Sequence, residues 1–144
     1  MLNPERIKIL VVEDNPDDVT IIKRAMRKSE LKSELYFAND GEEALNFLFH
    51  EDKFEDSPRP DLILLDLNLP KIRGLEVLDR VKKDDRLRRI PVIVLTVSDA
   101  EEDMARAYDS GAASYMTKPV DSKDFEQLIK TVQDYWRIAK LPPE

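Results

Sequence analysis

Residues 61–66 have the sequence DLILLD, a run of four large apolar residues between two aspartates. Two further runs of similar character are IKILVV at residues 7–12 and PVIVLT at residues 91–96. Short apolar runs that lack a polar face are typical of parallel strands covered on both sides. We therefore predict that these three segments are the central strands of a parallel sheet.

Weaker strand patterns at residues 34–38 and 113–117 bring the predicted strands to five, and helical patterns separate them. The predicted helices span residues 17–29, 42–50, 75–83, 100–110 and 121–139. In the last helix, apolar residues recur along one face, namely Phe125, Leu128, Ile129, Val132, Trp136 and Ala139. The alternation predicts an α/β fold, a doubly wound parallel (βα)5 sheet with strand order 2-1-3-4-5.

The composition excludes several classes of function. The 144 residues include 23 Lys and Arg against 30 Asp and Glu, and the resulting net charge of −7 argues against general nucleic-acid binding. The chain has no Cys and a single His, His50, which excludes disulfides, thiolate zinc sites and pairs of imidazole ligands.

The length and hydropathy of the chain predict a single domain that does not span a membrane. No apolar run approaches the ~18 residues that a membrane span needs. Residues 1–6 lack the charged-then-apolar layout of a signal peptide, so we expect a cytoplasmic protein. We expect residues 1–144 to form a single domain, with a core at about 6–139 and a short tail at 140–144.

Polar residues follow the ends of four predicted strands: Glu13 and Asp14, then Asp66, Thr96 and Lys118. Ligands of an open parallel sheet bind beyond the carboxyl ends of its strands, so we expect the three carboxylates to converge. Two carboxylates 4 Å apart repel by about 4 kcal/mol at an effective dielectric near 20, and oxygen-only ligands favour a hard cation such as Mg²⁺. One of the carboxylates, kept partly free, could then attack phosphorus, with Lys118 and Thr96 holding the phosphoryl oxygens.

Single residues of this set also have structural explanations. Asp14 or Asn15 can cap the first helix, Thr96 can be an ordinary β-branched strand residue, and Lys118 can be a surface charge. A functional site is favoured because such polar residues occur together at the ends of four predicted strands.

The segments around these residues resemble the receiver domain of response regulators over essentially the whole chain. They are ILVVEDN at residues 9–15, DLILLDLNLP at 61–70, VLT at 94–96 and GAASYMTKP at 111–119. Three further segments resemble stand-alone regulators that partner phytochrome-type sensor kinases, namely NPDD at 15–18, DDRLRRIP at 84–91 and YW at 135–136. The resemblance implies a flavodoxin-like receiver fold with no output domain.

The resemblance also implies the chemistry of the site. Asp66 would be the phosphoacceptor, taking the group from the phosphohistidine of a sensor histidine kinase or a phosphotransfer protein. Thr96 would hydrogen-bond the phosphoryl group, Lys118 would pair with it, and the bond before Pro119 would be cis. We expect Thr96 to move toward the new oxygens and the Tyr115 ring to fill the vacated space.

The resemblance further implies a Mg²⁺ site and a signalling role rather than that of an enzyme. Asp14 and Asp66 would bind the ion directly, with the Asn68 backbone carbonyl as third protein ligand and Glu13 acting through water. The protein would support only its own phosphorylation and slow dephosphorylation. We expect its output to run through protein contacts, and the candidates are a homodimer through the last helix, return binding to the kinase, and relay to another phosphotransfer protein.

Two other functions stay open from the sequence. A phosphohydrolase of the haloacid-dehalogenase type also forms an aspartyl-phosphate, but it needs a general acid where this chain has Asn68. A receiver fold used only as an interaction surface would not need to keep all five charged and hydroxyl side chains of the site.

Overall fold

A computed structural model describes residues 6–29 and 32–144, in which five strands and five α-helices alternate. The expectation about a signal peptide rests mainly on residues 1–5, which lie outside the described residues. The strands are β1 (Ile7–Val12), β2 (Ser33–Ala38), β3 (Leu62–Leu65), β4 (Val92–Thr96) and β5 (Ser114–Thr117). The helices are α1 (Pro16–Arg27), α2 (Gly41–Leu48), α3 (Gly74–Lys83), α4 (Glu101–Asp109) and α5 (Ser122–Ile138).

All strand pairs are parallel, and the order across the sheet is β2-β1-β3-β4-β5. The predicted doubly wound (βα)5 sheet with order 2-1-3-4-5 is therefore confirmed. In the register, Val12 lies opposite Leu65 and Leu65 lies opposite Val94, so β1, β3 and β4 end near one another. This alignment places the residues that follow the three strands at one edge of the sheet.

Two apolar layers enclose the sheet. Alternate residues of β1 face opposite layers: Leu10 packs with α2 and α3, whereas Ile9 packs with α1 and α5. The central strands β3 and β4 are fully buried, which explains their nearly continuous apolar sequences. The edge strands β2 and β5 are only half-buried and carry more polar residues.

The element bounds differ from the predicted ones by one or two residues, and polar side chains cap the starts of α1, α2 and α5. Asp61 belongs to no strand; its carboxylate accepts a 2.9 Å hydrogen bond from the Lys8 backbone N–H. Asn15, and not Asp14, caps α1 by accepting hydrogen bonds from the backbone N–H groups of Asp17 and Asp18. Across residues 6–29 and 32–144, no helix has the length and apolar character to cross a membrane.

Candidate functional site

Three carboxylates converge where β1 and β3 end. One oxygen from each of Glu13, Asp14 and Asp66 lies within 4.8 Å of the others. The Asp66 backbone N–H donates a 3.1 Å hydrogen bond to the Val12 carbonyl oxygen, which holds the ends of the two strands together. Glu13 and Asp66 are buried, whereas Asp14 is exposed to solvent. We call these three residues the carboxylate cluster.

Lys118 reaches this cluster from the end of β5. Its Nζ lies 2.5 Å from Glu13 Oε1, 3.0 Å from Asp66 Oδ2 and 2.9 Å from Asp18 Oδ2. The Lys118 side chain is 5% exposed, so its charge depends on these partners. Asp18 is not among the site residues predicted from the sequence; its acidic character in the NPDD segment was the one available signal.

Burial and crowding change the ionisation of two members of the site. Burial raises the pKa of Glu13 to about 7, and the charge of Asp66 adds to this effect while the hydrogen bond from Lys118 opposes it. Burial by itself lowers the pKa of Lys118, but the hydrogen bonds to Glu13 and Asp18 and the charge of Asp66 outweigh it and raise the pKa. The charge of Asp66 thus acts on both groups, since it raises the pKa of Glu13 and that of Lys118.

A hard divalent cation fits this donor set. The cluster offers three carboxylate oxygens and neither imidazole nor thiolate, which is the chemistry that Mg²⁺ and Mn²⁺ prefer. A cation among the three oxygens would also offset the charge of Asp66, which adds to the effect of burial on the pKa of Glu13.

The loop after β3 and the end of β4 complete the surroundings of Asp66. The Asn68 backbone N–H donates a 3.1 Å hydrogen bond to Asp66 Oδ1. The Asn68 side-chain amide lies 3.5 Å from Thr96 Oγ1, and the Thr96 side chain is fully buried. Both oxygens of Asp66 therefore have donors in the structure, one from Asn68 and the other from Lys118.

The start of α3 packs directly on the backbone of Asp66. The Gly74 N–H donates a 3.1 Å hydrogen bond to the Leu67 carbonyl oxygen. A Cβ atom at Gly74 would lie 2.3 Å from the Asp66 carbonyl oxygen and 2.6 Å from Leu67 Cα. This close approach requires glycine, and it fixes the backbone that carries Asp66.

Tyr115 is half-buried on β5, and its hydroxyl donates to the Ser98 carbonyl oxygen. Its backbone N–H donates to the Tyr108 hydroxyl, while the Ser98 hydroxyl donates to Asp103. Burial raises the pKa of Tyr115, the Ser98 side chain opposes the rise, and Asp103 together with nearby acidic residues adds to it. No local pattern predicts the contacts made by Ser98, because they depend on how α4 packs against β5.

The expectation of a cis bond before Pro119 is wrong for this structure. Every described peptide bond is trans, and this includes the bond between Lys118 and Pro119. The trans form is favoured before proline by about 0.5–1 kcal/mol, and Lys118 reaches Asp66 with the bond in this form.

Comparison with known proteins identifies the family. The model of the response regulator receiver domain matches residues 9–130. Response regulator Rcp1 of Synechocystis sp. is 40% identical over 134 residues, which are 93% of this chain and 90% of Rcp1.

Two solved structures are similar over nearly the whole chain. The Mn²⁺-bound form of response regulator Rcp1 has a TM-score of 0.92 and 39% identity, covering 95% of this chain and 99% of that one. The phosphorylated cyanobacterial phytochrome response regulator RcpA has a TM-score of 0.92 and 41% identity, covering 96% and 99%. This chain therefore belongs to the response regulator receiver domain family of two-component signalling proteins.

Proposed function

We propose that the protein is the phosphoacceptor of a two-component phosphorelay and that Asp66 carries the phosphoryl group. One observation carries this proposal: the Asp66 carboxylate belongs to the carboxylate cluster and also accepts a 3.0 Å hydrogen bond from Lys118 Nζ. A carboxylate between a cation site and a buried ammonium is placed to attack phosphorus while the charge on the phosphoryl oxygens is neutralised.

The transfer takes place between a phosphohistidine and Asp66. One carboxylate oxygen of Asp66 attacks phosphorus, so that an O–P bond forms while the N–P bond to the imidazole breaks. The bonding electron pair returns to the imidazole nitrogen, which regains a proton. Lys118 Nζ and the Thr96 hydroxyl donate hydrogen bonds to the phosphoryl oxygens, and the Asn68 N–H supports the Asp66 carboxyl group.

Mg²⁺ is the proposed cofactor. Asp14 and Asp66 would hold it directly, with the Asn68 backbone carbonyl as third protein ligand and Glu13 through water. When bound, the cation neutralises charge on the transferred group. The oxygen-only donor set and the Mn²⁺-bound form of Rcp1 support this assignment.

The proposed donor is a sensor histidine kinase or a phosphotransfer protein. The similarity to a phosphorylated phytochrome response regulator supports a kinase of the phytochrome type. We propose that residues 1–144 form a single receiver domain in the cytoplasm that signals through protein contacts. The net charge of −7 opposes direct binding to nucleic acid.

The proposed output includes a homodimer formed at the end of α5. Tyr135 is 59% exposed and lines, with Met116 and Trp136, an apolar cavity of about 400 Å³. Ile138, farther along α5, is 77% exposed. A second copy that covers this surface would bury these side chains. Light scattering should show a dimer that Tyr135→Glu weakens; an unchanged mass for that variant would contradict the assignment.

Incubation with Mg²⁺ and acetyl phosphate tests the function. Intact mass should increase by one phosphoryl group, and the increase should be lost with Asp66→Asn and after chelation of the metal. Asp17→Asn, a change at an exposed carboxylate on α1, is the matched control. An unmodified wild-type protein would favour the interaction-only alternative, and steady turnover of p-nitrophenyl phosphate would favour the phosphohydrolase.

A further inference from the structure

Lys118 has a carboxylate partner that does not belong to the carboxylate cluster. Of its three partners, Glu13 and Asp66 lie in the cluster, whereas Asp18 lies on α1. An ammonium group has three N–H donors, and in this arrangement each of them has one carboxylate. Among the described residues, Asp18 is therefore the one partner of Lys118 that is free of the cation site.

The start of α1 fixes the position of Asp18. The Asn15 side chain accepts hydrogen bonds from the backbone N–H groups of Asp17 and Asp18, and Pro16 occupies the first turn. The Asp18 side chain is 18% exposed and lies 2.9 Å from Lys118 Nζ, whereas the neighbouring Asp17 is exposed. The cap thus gives Asp18 a defined place before any ligand binds.

Glu13 and Asp66, the other two partners of Lys118, also have to contact the cation or the phosphoryl group during the reaction. Glu13 and Asp66 face the cation site, and Asp66 also forms the bond to phosphorus. Once Asp66 is phosphorylated, a phosphoryl oxygen can accept the hydrogen bond that Lys118 Nζ donates to Asp66 in this structure. The contact with Asp18 can persist throughout, because Asp18 takes part in neither event.

We propose that Asp18 is a positioning residue that holds Lys118 Nζ against the phosphoryl site, and this inference rests on the proposed function of Asp66. Without Asp18, the buried ammonium is drawn entirely toward Glu13 and Asp66. It then meets the incoming phosphoryl group in a less favourable position. Loss of this one charged hydrogen bond should slow phosphorylation about tenfold.

The kinetic test compares Asp18→Asn with Asp17→Asn at saturating Mg²⁺ and acetyl phosphate. Both variants lose one negative charge from the same turn of α1, but only the first loses a contact with Lys118. We expect slow phosphorylation for Asp18→Asn, a rate close to wild type for Asp17→Asn, and partial recovery with Asp18→Glu. If Asp18→Asn is slow only at low Mg²⁺ and reaches the wild-type rate at saturating Mg²⁺, Asp18 acts on the cation site and the proposal is wrong.

A double-mutant cycle tests whether Asp18 acts through Lys118. In a Lys118→Met background, Asp18→Asn should cause little further loss of rate, because the group that it positions is absent. Equal effects of Asp18→Asn in both backgrounds would contradict a positioning role. Thermal unfolding of each variant shows whether a rate change reflects a loss of folded protein.

A second measurement does not depend on phosphorylation. In the metal-free protein, the ammonium of Lys118 should give a slowly exchanging ¹H–¹⁵N NMR signal because it is buried and held by three carboxylates. The signal should broaden in Asp18→Asn and persist in Asp17→Asn; persistence in both would overturn the proposal. A wild-type protein that shows this signal but accepts no phosphoryl group would refute the function of Asp66 and leave Asp18 with a structural role only.

Discussion

The hydroxyl of Tyr115 donates a 2.9 Å hydrogen bond to the backbone carbonyl oxygen of Ser98. Ser98 is two residues beyond Thr96, and its own backbone N–H lies 3.5 Å from Thr96 Oγ1. The segment from Thr96 to Ser98 therefore connects the candidate phosphoryl site with the Tyr115 side chain. A shift of Thr96 toward a phosphoryl group would therefore move the Ser98 carbonyl oxygen, which accepts the hydrogen bond of the Tyr115 hydroxyl.

Thr96→Ala should uncouple phosphorylation from the rearrangement at Tyr115 and from partner binding. The variant lacks the hydroxyl that the phosphoryl oxygens would attract, so β5 should not respond. Amide NMR shifts of α4 and β5 should change on phosphorylation of the wild type and stay constant in Thr96→Ala at equal phosphorylation. Thr117→Ala, at the residue paired with Thr96 in the sheet, is the control; a full response in Thr96→Ala would rule out this switch.

Tyr115→Phe should change how stability depends on pH in alkaline solution. The raised pKa of Tyr115 means that the folded state favours the neutral phenol. This contribution to stability is fully present below the unfolded pKa of about 10 and is lost as the pH rises through the folded pKa. In urea unfolding, the free energy of unfolding should fall more steeply above about pH 10 for the wild type than for Tyr115→Phe, with Tyr135→Phe as the control. The same pH dependence in Tyr115→Phe and the wild type would contradict this.

Val97→Ala should shorten the lifetime of the aspartyl-phosphate. Val97 follows the buried Thr96 and is 66% exposed, so its side chain stands between solvent and the end of β4. Removal of the two methyl groups should give water better access to the phosphoryl group. The decay of phosphoprotein, followed by intact mass, should be faster than in the wild type and in Val120→Ala, a change at another exposed valine. Equal decay in all three proteins would leave Val97 without this role.

Gln133→Leu should stabilise the protein by about 1–3 kcal/mol. Gln133 is 1% exposed on α5, and neither polar atom of its side chain has a hydrogen-bond partner within residues 6–29 and 32–144. A buried amide without partners costs free energy that leucine would not. Urea unfolding should give Gln133→Leu a higher free energy of unfolding than the wild type. Gln127→Leu, at an exposed position on the same helix, should unfold with a free energy close to that of the wild type. A less stable Gln133→Leu would show that the amide has a partner in solution.

Gly74→Ala should destabilise the protein by about 1–3 kcal/mol, although alanine is the better helix former. The added Cβ would overlap the Asp66 carbonyl oxygen, so the start of α3 or the backbone of Asp66 must shift. We expect a lower unfolding midpoint and slower phosphorylation together. A more stable variant would show that the two segments separate without cost.

The local sequence determined much of this protein. Short apolar runs identified β1, β3 and β4, and the polar residues that end them identified Glu13, Asp14 and Asp66, because residues after neighbouring parallel strands meet at one edge. Helical spacing indicates which side of α5 is buried, and Gln133 lies four residues beyond Ile129 on that side. These features depend on periodicity and on strand ends, both of which can be read along the chain.

The tertiary structure alone decided which distant side chains meet. Asp18 and Lys118 are 100 residues apart, and their contact depends on the cap of α1 and on the crossing of the chain to β5. The contact between Tyr115 and Ser98 likewise requires the packing of α4, and the trans bond before Pro119 has no local signal. Sequence periodicity specifies which face of an element is buried, whereas the atoms that touch across elements are set by the packing of the whole fold.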